Sequence, residues 1–169
     1  MNTPSVIKFE SGPILACKET FRVLEFSPNS TRDMWTYATC GMASLNDEKP
    51  IELHLFSSKQ DRSIVELLAA VSYYHLSEVN FNLWDTMNFG RPWQDKSICL
   101  HGLISLPYLD GPKIENLMIA GKCIKSYWLI PISESEVKFK ARFGVEALEE
   151  LFDTRDFNYL DASRKSVVP

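Results

Sequence analysis

The chain has 169 residues, 45% of them hydrophobic and 24% charged, which fits one globular domain over residues 1–169 with its own core. Eighteen Lys and Arg residues against 22 Asp and Glu give a formal net charge of -4, which argues against binding the phosphate backbone of nucleic acids. No run approaches the roughly 18 apolar residues of a membrane span, and no secretory signal begins the chain, so a cytoplasmic protein is expected.

The first half of the chain predicts several strands followed by one long helix. Residues 1–13 indicate a loose lead-in, and a polar, exposed loop is expected over 44–50. β-branched and aromatic runs bounded by turn residues predict strands at 14–17, 21–26, 34–40 and 51–56. Apolar residues then recur at helical spacing from Ser63 to His75, and Asp61 or Ser63 can cap the first turn.

The middle of the chain predicts further strands. After the helix come Phe81–Trp84 and a turn-rich stretch that ends at Lys96. The strands expected beyond it are 98–106, 117–120 and 126–132, with a turn at Gly121 and Lys122. Together with the earlier runs, these predict a sheet of five or six strands.

The residues after 132 change to a helical period. Ser133 and Glu136 have the spacing of a capping box, in which the hydroxyl and the carboxylate each bind a free backbone N–H of the first turn. Gly144 is expected to break this helix, and a second short helix is predicted over 145–152. The polar tail, 156–169, is expected to dock as a strand or as an irregular cover.

The apolar positions of these elements define a predicted core. Its members are Trp35, Leu53, Leu67, Leu68, Ile104, Trp128 and Leu148. The four cysteines are scattered without a CxxC pair, which favours reduced and mostly buried thiols over a disulfide framework.

Two runs rich in Gly, Pro and aromatic residues, 88–93 and 101–112, predict tightly packed turns that hold large side chains. Trp84, Arg91 and Trp93 lie close together in the first region, and Trp and Arg are typical of binding hot spots. The runs carry no pattern of nucleophile and base. They therefore favour a recognition surface over an active site.

Metal binding or catalysis by a few polar residues is an alternative to a recognition surface. His54, Cys99 and His101 lack the paired spacing of a zinc site, so no metal is expected. A small hydrolase or transferase could use His101, Cys99 and Asp85, although no nucleotide-binding or hydrolase motif is present. Asp110 precedes Gly111 and Pro112 and is expected to bond the backbone of its own turn. A third alternative is a homodimeric structural protein that pairs an exposed strand with its copy.

Several stretches, in their order and spacing, resemble the suppressor-of-fused family in its short bacterial form. The similarity covers nearly all of residues 20–168. The stretches are 35–42, 50–53, 66–70, 73–75, 88–93, 101–112, 128–132, 146–152 and 161–166.

This resemblance implies an α+β fold in a single domain, with a mixed, largely antiparallel sheet packed with helices. It implies protein binding without enzymatic activity and without a cofactor, because the animal member grips a short peptide of a transcription factor. Bacterial members are thought to be immunity proteins that neutralise polymorphic toxins, so a toxin domain is the expected partner of a monomer or homodimer.

The resemblance also places candidate partner-binding residues. Tyr73, at the end of the predicted helix, and Asp85 in the next loop resemble the family's peptide-contacting tyrosine after the first helix and the acidic residue of the loop that follows. With the candidates from the first Gly- and Pro-rich run, the predicted partner-binding surface consists of Tyr73, Asp85, Asn88, Arg91 and Trp93.

Overall fold

The computed structural model describes residues 3–17, 19–43 and 48–169. Part of the predicted polar loop, residues 44–47, therefore lies outside the described residues. The elements in chain order are β1 (Ser5–Lys8), α1 (Pro13–Cys17), β2 (Arg22–Phe26), β3 (Trp35–Cys40), β4 (Ile51–Ser57), α2 (Arg62–Ser77), β5 (Thr86–Asn88), β6 (His101–Ser105), α3 (Pro112–Glu115), β7 (Asn116–Ile119), β8 (Lys122–Ile132), α4 (Glu134–Phe143) and α5 (Val145–Thr154). Among these described helices, none is both long enough and apolar enough to cross a bilayer.

The described strands form one mixed sheet. Its order is β1-β2-β3-β4-β8-β6-β5, and β7 pairs with β8 beside this path. Neighbouring strands are antiparallel except β4 and β8, which run parallel with His54 opposite Trp128. The predicted α+β fold with a largely antiparallel sheet is confirmed. The five or six strands expected were too few. The predicted strand at 117–120 is present as β7, but β1 and β5, with only four and three residues, were not predicted.

One face of the sheet packs against α2. Leu53 of β4 and Leu67 and Leu68 of α2 belong to this first core cluster, and their helical spacing places both leucines of α2 on the side that faces the sheet. The helix begins as predicted, because the carboxylate of Asp61 accepts a hydrogen bond from the N–H of Ser63 at 2.9 Å. The period of the sequence therefore identified both the helix and its buried face.

The opposite face carries a second core cluster beneath α4 and α5, which includes Trp128 and Leu148. The capping box is present, with the Ser133 N–H donating to the Glu136 carboxylate at 2.7 Å. Gly144 has φ 92 and separates the two helices, as predicted. The two helices therefore cover one part of this face.

The predicted core is largely confirmed. Six of its seven residues are buried: Leu53, Leu67, Leu68, Ile104, Trp128 and Leu148. Trp35 is half-buried and packs against the first cluster from near the start of its strand. The described thiols of Cys40, Cys99 and Cys123 are free, and only Cys99 is fully buried.

The N-terminal predictions were wrong. The expected lead-in contains β1, which pairs with β2 through Ile7 opposite Val23 and becomes ordered by that contact. The expected strand over 14–17 is helix α1, whose first residue, Pro13, has a backbone φ suited to a helix start. Such short segments take their conformation from the surface on which they pack.

Residues 156–169 form an irregular cover, in which Arg164 and Val167 are buried. This is one of the two outcomes expected for the tail. The second face is thus closed by helices and tail over β6 and the end of β8. It remains open over β2, β3 and the first half of β4, where a cavity lies.

Candidate binding site

The cavity on the second sheet face has a volume of about 750 Å³. Its floor is formed by alternate residues of three neighbouring strands, because side chains two apart on a strand share a face. These floor residues are Leu24, Phe26, Thr36, Ala38, Glu52 and His54. The walls come from the loop 27–32, from Asp110, and from Ile114 and Leu117 of α3 and β7. The cavity thus combines six apolar side chains with a larger number of polar and charged ones.

An ion pair between Arg32 and Asp110 joins two walls of the cavity. Arg32 lies in the loop between β2 and β3, and its guanidinium also stacks 5.0 Å from the ring centroid of Phe56. The side chain of Asp110 is only 7% exposed. The prediction that Asp110 bonds its own turn was wrong, because the folded chain brings a cation 78 residues away within reach of it.

His54 is buried at the floor of the cavity. Its Nδ1 lies 3.3 Å from the Ser126 hydroxyl, while its Nε2 lies 3.7 Å from a carboxylate oxygen of Asp110, too long for a hydrogen bond. Among the described residues, Nε2 has no hydrogen-bond partner. Burial lowers the pKa of His54 to about 4; the charge of Asp110 opposes this shift and that of Arg32 adds to it. The imidazole is therefore neutral at neutral pH.

A second polar atom at the floor is also unsatisfied. The Thr36 hydroxyl is buried and finds no hydrogen-bond partner in the described part of the chain. Its register partner on β4 is Phe56, whose ring offers no hydrogen bond of ordinary strength. Buried polar atoms nearly always have a partner, and two of the five side-chain atoms without one in the described chain belong to residues that line this cavity.

Glu52, by contrast, is fully engaged by its surroundings. Its carboxylate accepts hydrogen bonds from the Gly41 N–H at 2.9 Å, the Ala43 N–H at 3.1 Å and the Thr39 hydroxyl at 2.5 Å. Burial raises the pKa of Glu52, and these hydrogen bonds only partly offset that effect. This carboxylate therefore holds the turn after β3 in place and has little capacity left for a ligand.

The segment 108–119 borders the cavity and exposes several large apolar side chains; we call it the apolar segment. Those that are 39 to 68% exposed are Tyr108, Leu109, Ile114, Met118 and Ile119. The segment contains β7, which pairs only with β8 among the described strands and so leaves its other edge open. The Tyr108 hydroxyl donates to a Glu149 carboxylate oxygen at 3.1 Å, which ties the segment to α5.

The predicted partner-binding residues lie elsewhere, around β5 and α2. Asp85 accepts a hydrogen bond from the Asn82 N–H at 2.8 Å, and Asn88 accepts one from the Gly90 N–H at 2.7 Å. Arg91 donates to the Ser63 carbonyl at 2.7 Å. These three side chains therefore stabilise their own turns or hold the loop on α2. Tyr73 is half-buried on α2 and packs against the first core cluster.

Trp93 is not a surface residue, which corrects its prediction. The side chain is 1% exposed and belongs to the first core cluster. The loop after β5 folds back onto the start of α2, where Gln94 donates to the Asp61 carboxylate at 2.9 Å, and this carries Trp93 inside. The expected packed turn is present, but it holds this tryptophan in the core.

The geometry also bears on the catalytic alternative. Cys99 belongs to the first core cluster, whereas His101 shares its strand face with Leu103 of the second cluster. Burial raises the pKa of the Cys99 thiol, which disfavours the thiolate that a nucleophile needs. Within residues 3–17, 19–43 and 48–169, no three His, Cys, Asp or Glu side chains are grouped to hold a metal ion.

Sequence reasoning did not find the cavity. In the sequence, His54 stands out only as a candidate metal ligand, and neither Thr36 nor Arg32 belongs to a motif. The available signal was the alternation along the strands, which places Thr36 with Ala38, and Glu52 with His54, on the face opposite the core. Recognising the site also required the strand order, which the periodicity does not supply.

Comparison with known proteins identifies relatives over almost the whole chain. The sequence profile of the family described as Suppressor of fused protein (SUFU) matches residues 18–165. The crystal structure of a SUFU homologue from Neisseria gonorrhoeae FA 1090 is similar with a TM-score of 0.86 at 30% identity, covering 98% of this chain and 87% of that one. No curated protein sequence matches this chain significantly.

Two more distant structures share the fold. The Sufu-Fu complex gives a TM-score of 0.72 at 11% identity, covering 98% of this chain and 85% of the matched one. Drosophila Suppressor of Fused gives a TM-score of 0.65 at 12% identity, covering 87% of this chain but 42% of that protein. This chain therefore corresponds to about two fifths of the Drosophila protein.

Proposed function

Because the chain belongs to the suppressor-of-fused family, we propose that it is a non-enzymatic protein-binding domain, and specifically an immunity protein that neutralises a toxin by binding it. One relative of the same fold is a complex of Sufu with Fu, which supports protein binding as the activity of this architecture. The raised thiol pKa of Cys99 and its separation from His101 fit a protein without a thiol active site.

The observation that carries this proposal is the apolar segment. Half of the ten exposed large apolar side chains of the described chain lie within residues 108–119. Single exposed apolar residues are common, whereas five of them within one segment of twelve residues favour an interaction surface. The open edge of β7 adds unpaired backbone groups that an extended partner strand can bind.

Acidic residues next to this segment favour a basic partner. Tyr108 is bonded to Glu149 of α5, and Glu146 and Asp153 lie close enough to contribute to raising the pKa of Glu149, after the larger effect of burial. The chain as a whole carries a net charge of -4. A basic toxin would thus meet an apolar strip bordered by negative charge, which would speed their association.

The residues predicted from the resemblance and from the first Gly- and Pro-rich run suggest a second contact surface. Tyr73, Asp85, Asn88 and Arg91 lie around β5, which is the strand at one end of the sheet order. We keep them as a proposed surface, which a partner could use instead of the apolar segment. Trp93 is left out because it is buried.

A capture experiment tests the function and distinguishes the two surfaces. The tagged chain is incubated with an extract of its own source organism, and bound proteins are identified by mass spectrometry. Met118→Lys places a charge on the apolar segment, and Phe143→Lys makes the same change at a similarly exposed position on α4. Asp85→Asn removes a charge near β5 while retaining an oxygen for the Asn82 N–H.

We expect one protein to bind the wild-type chain and Phe143→Lys, and to be lost with Met118→Lys. If binding is lost only with Asp85→Asn, the partner contacts the surface around β5 instead of the apolar segment. If no protein binds specifically to the wild-type chain, the protein-binding function is contradicted.

A further inference from the structure

The cavity between Arg32, Thr36 and His54 is lined by groups that the proposed function does not use. Its volume of about 750 Å³ lies within the range of cavities that hold small molecules, and greatly exceeds the space that one side chain of a protein partner would fill. Leu24, Phe26 and Ala38 supply apolar surface. Thr36 and His54 add two buried polar atoms that lack partners among the described residues.

We infer that this cavity binds an uncharged, amphipathic small molecule, whose carboxamide or hydroxyl head bonds to Thr36 Oγ1 and His54 Nε2 and whose apolar body packs on the strands. This site goes beyond the proposed function and does not depend on it. A hydroxyl and a neutral imidazole can each donate or accept, depending on rotamer and tautomer. Together they suit a head group that also does both.

The polar groups at the floor need a partner. The His54 side chain is 6% exposed, and a buried nitrogen or hydroxyl without a hydrogen bond is destabilising by roughly the full cost of removing it from water. The His54 Nδ1 already faces Ser126, and Nε2 is directed towards the Asp110 wall of the cavity, 3.7 Å from that carboxylate and so without a direct hydrogen bond. A ligand head between Nε2 and Thr36 would satisfy both atoms at once.

The charges around the cavity select against ionic ligands. Arg32 is already paired with Asp110, and the Glu52 carboxylate accepts three backbone hydrogen bonds and one from Thr39. An anion would have to displace Asp110 from Arg32, and it would face Glu52. A cation would face the guanidinium of Arg32. Because Arg32, Asp110 and Glu52 all have protein partners, a neutral ligand leaves these interactions intact.

A matched set of probes tests the inference on the purified full chain. Naphthamide has the expected neutral head, whereas naphthoate and naphthylmethylammonium place an anion and a cation on the same rings. Affinity is measured by calorimetric titration, and NMR shift changes locate the probe relative to Thr36 and His54. We expect naphthamide to bind in the cavity and both ionic probes to bind on the order of tenfold more weakly, since they would bury an unpaired charge.

Thr36→Val removes the hydroxyl with little change of shape. Loss of one hydrogen bond should weaken naphthamide binding about threefold to tenfold. The melting temperature of the free variant should not fall, because the hydroxyl has no partner to lose. Thr154→Val is the control, since this exposed hydroxyl bonds its own helix at the Glu150 carbonyl. It should leave the affinity unchanged.

Three results would overturn the inference. Naphthamide could fail to shift the resonances around the cavity, or the ionic probes could bind as tightly as it does. Alternatively, Thr36→Val could leave the affinity unchanged while lowering the melting temperature, which would mean that the hydroxyl holds a structural water. None of these results depends on a protein partner, so none of them supports or contradicts the proposed protein-binding function.

Discussion

The guanidinium of Arg164 donates two hydrogen bonds to the carboxylate of Glu136, at 2.7 and 2.9 Å, across the base of helix α4. Both side chains are buried, at 5% and 0% exposure. The same carboxylate accepts the Ser133 N–H of the capping box and the Val167 N–H of the tail. One buried ion pair thus fixes the start of α4 and the last residues of the chain together.

Removing one partner of this pair should strongly destabilise the fold. Arg164→Met leaves the Glu136 carboxylate buried without its cation, which should lower the free energy of unfolding by about 3 to 5 kcal/mol. Urea denaturation followed by tryptophan fluorescence measures the loss. Lys138→Met is the control, because it removes a surface pair with Glu134 and should remain close to wild type. Equal stability of the two variants would contradict the structural role of Arg164.

His54 should make the fold less stable in mild acid. The pKa of its imidazole is lowered from 6.5 to about 4 by burial, so between these pH values the unfolded chain binds a proton that the folded chain does not. Stability is therefore full above pH 6.5 and falls as the pH decreases towards about 4. The gap of about 2.5 pH units corresponds to a loss of up to about 3 kcal/mol.

NMR titration of the imidazole together with urea denaturation at several pH values tests this linkage. His54→Asn should flatten the pH dependence of stability between pH 6.5 and 4. Glu136 affects stability only at lower pH. Burial raises the pKa of its carboxyl, but the hydrogen bonds from Arg164 outweigh this effect, so that the pKa is lowered overall. Its stabilisation is therefore lost only below its ordinary value of 4.5. If the NMR titration gives His54 a pKa near 6.5 in the folded chain, the predicted loss of stability in mild acid is contradicted.

Gly102 should not tolerate a side chain. A Cβ atom there would lie 2.6 Å from Cζ of Phe89 and 2.7 Å from Cδ1 of Leu129, closer than packed carbon atoms approach. Gly102→Ala should therefore cost about 1 to 3 kcal/mol of stability through overpacking. Adding Phe89→Leu makes room and should recover part of the loss. Strictly additive effects of the two changes, measured by denaturation, would show that the ring of Phe89 does not press on Gly102.

Association with the captured partner should be electrostatically steered. The net charge of -4 and the acidic residues of α5 near Tyr108 predict an association rate that falls as salt is raised, while the dissociation rate changes less. Surface-immobilised chain and soluble partner allow both rates to be measured. Glu150→Gln removes one exposed charge from α5 and should reduce the salt dependence. An association rate independent of salt would exclude a basic contact surface on the partner.

Local patterns allowed much of the fold to be predicted. The helical period from Ser63 to His75, the capping box at Ser133 and Glu136, and the break at Gly144 each depend on neighbouring residues, and each is present. By contrast, β1 and α1 are too short to hold a conformation alone. Their structure depends on packing against β2 and α2, which no local period shows.

The site depends on contacts between distant parts of the chain. Arg32 and Asp110 pair across 78 residues, and Ser126 reaches His54 only because β4 and β8 run parallel. A prediction from composition correctly identified the run 88–93 as a packed turn. It could not show that the loop folds onto α2 and buries Trp93. The types of side chain in this run predicted a recognition surface. Where those side chains lie in the fold could not be predicted without the order of the strands in the sheet.

Growth rescue tests whether this chain neutralises a toxin by binding it. The gene of the captured partner is expressed in a bacterial host, with or without this chain. We expect the partner alone to stop growth, and the wild-type chain and Phe143→Lys to restore it. Met118→Lys should fail to restore growth although it folds normally, because Met118 is 68% exposed. A partner that does not impair growth, or one whose toxicity persists in the presence of the wild-type chain, would contradict neutralisation by binding.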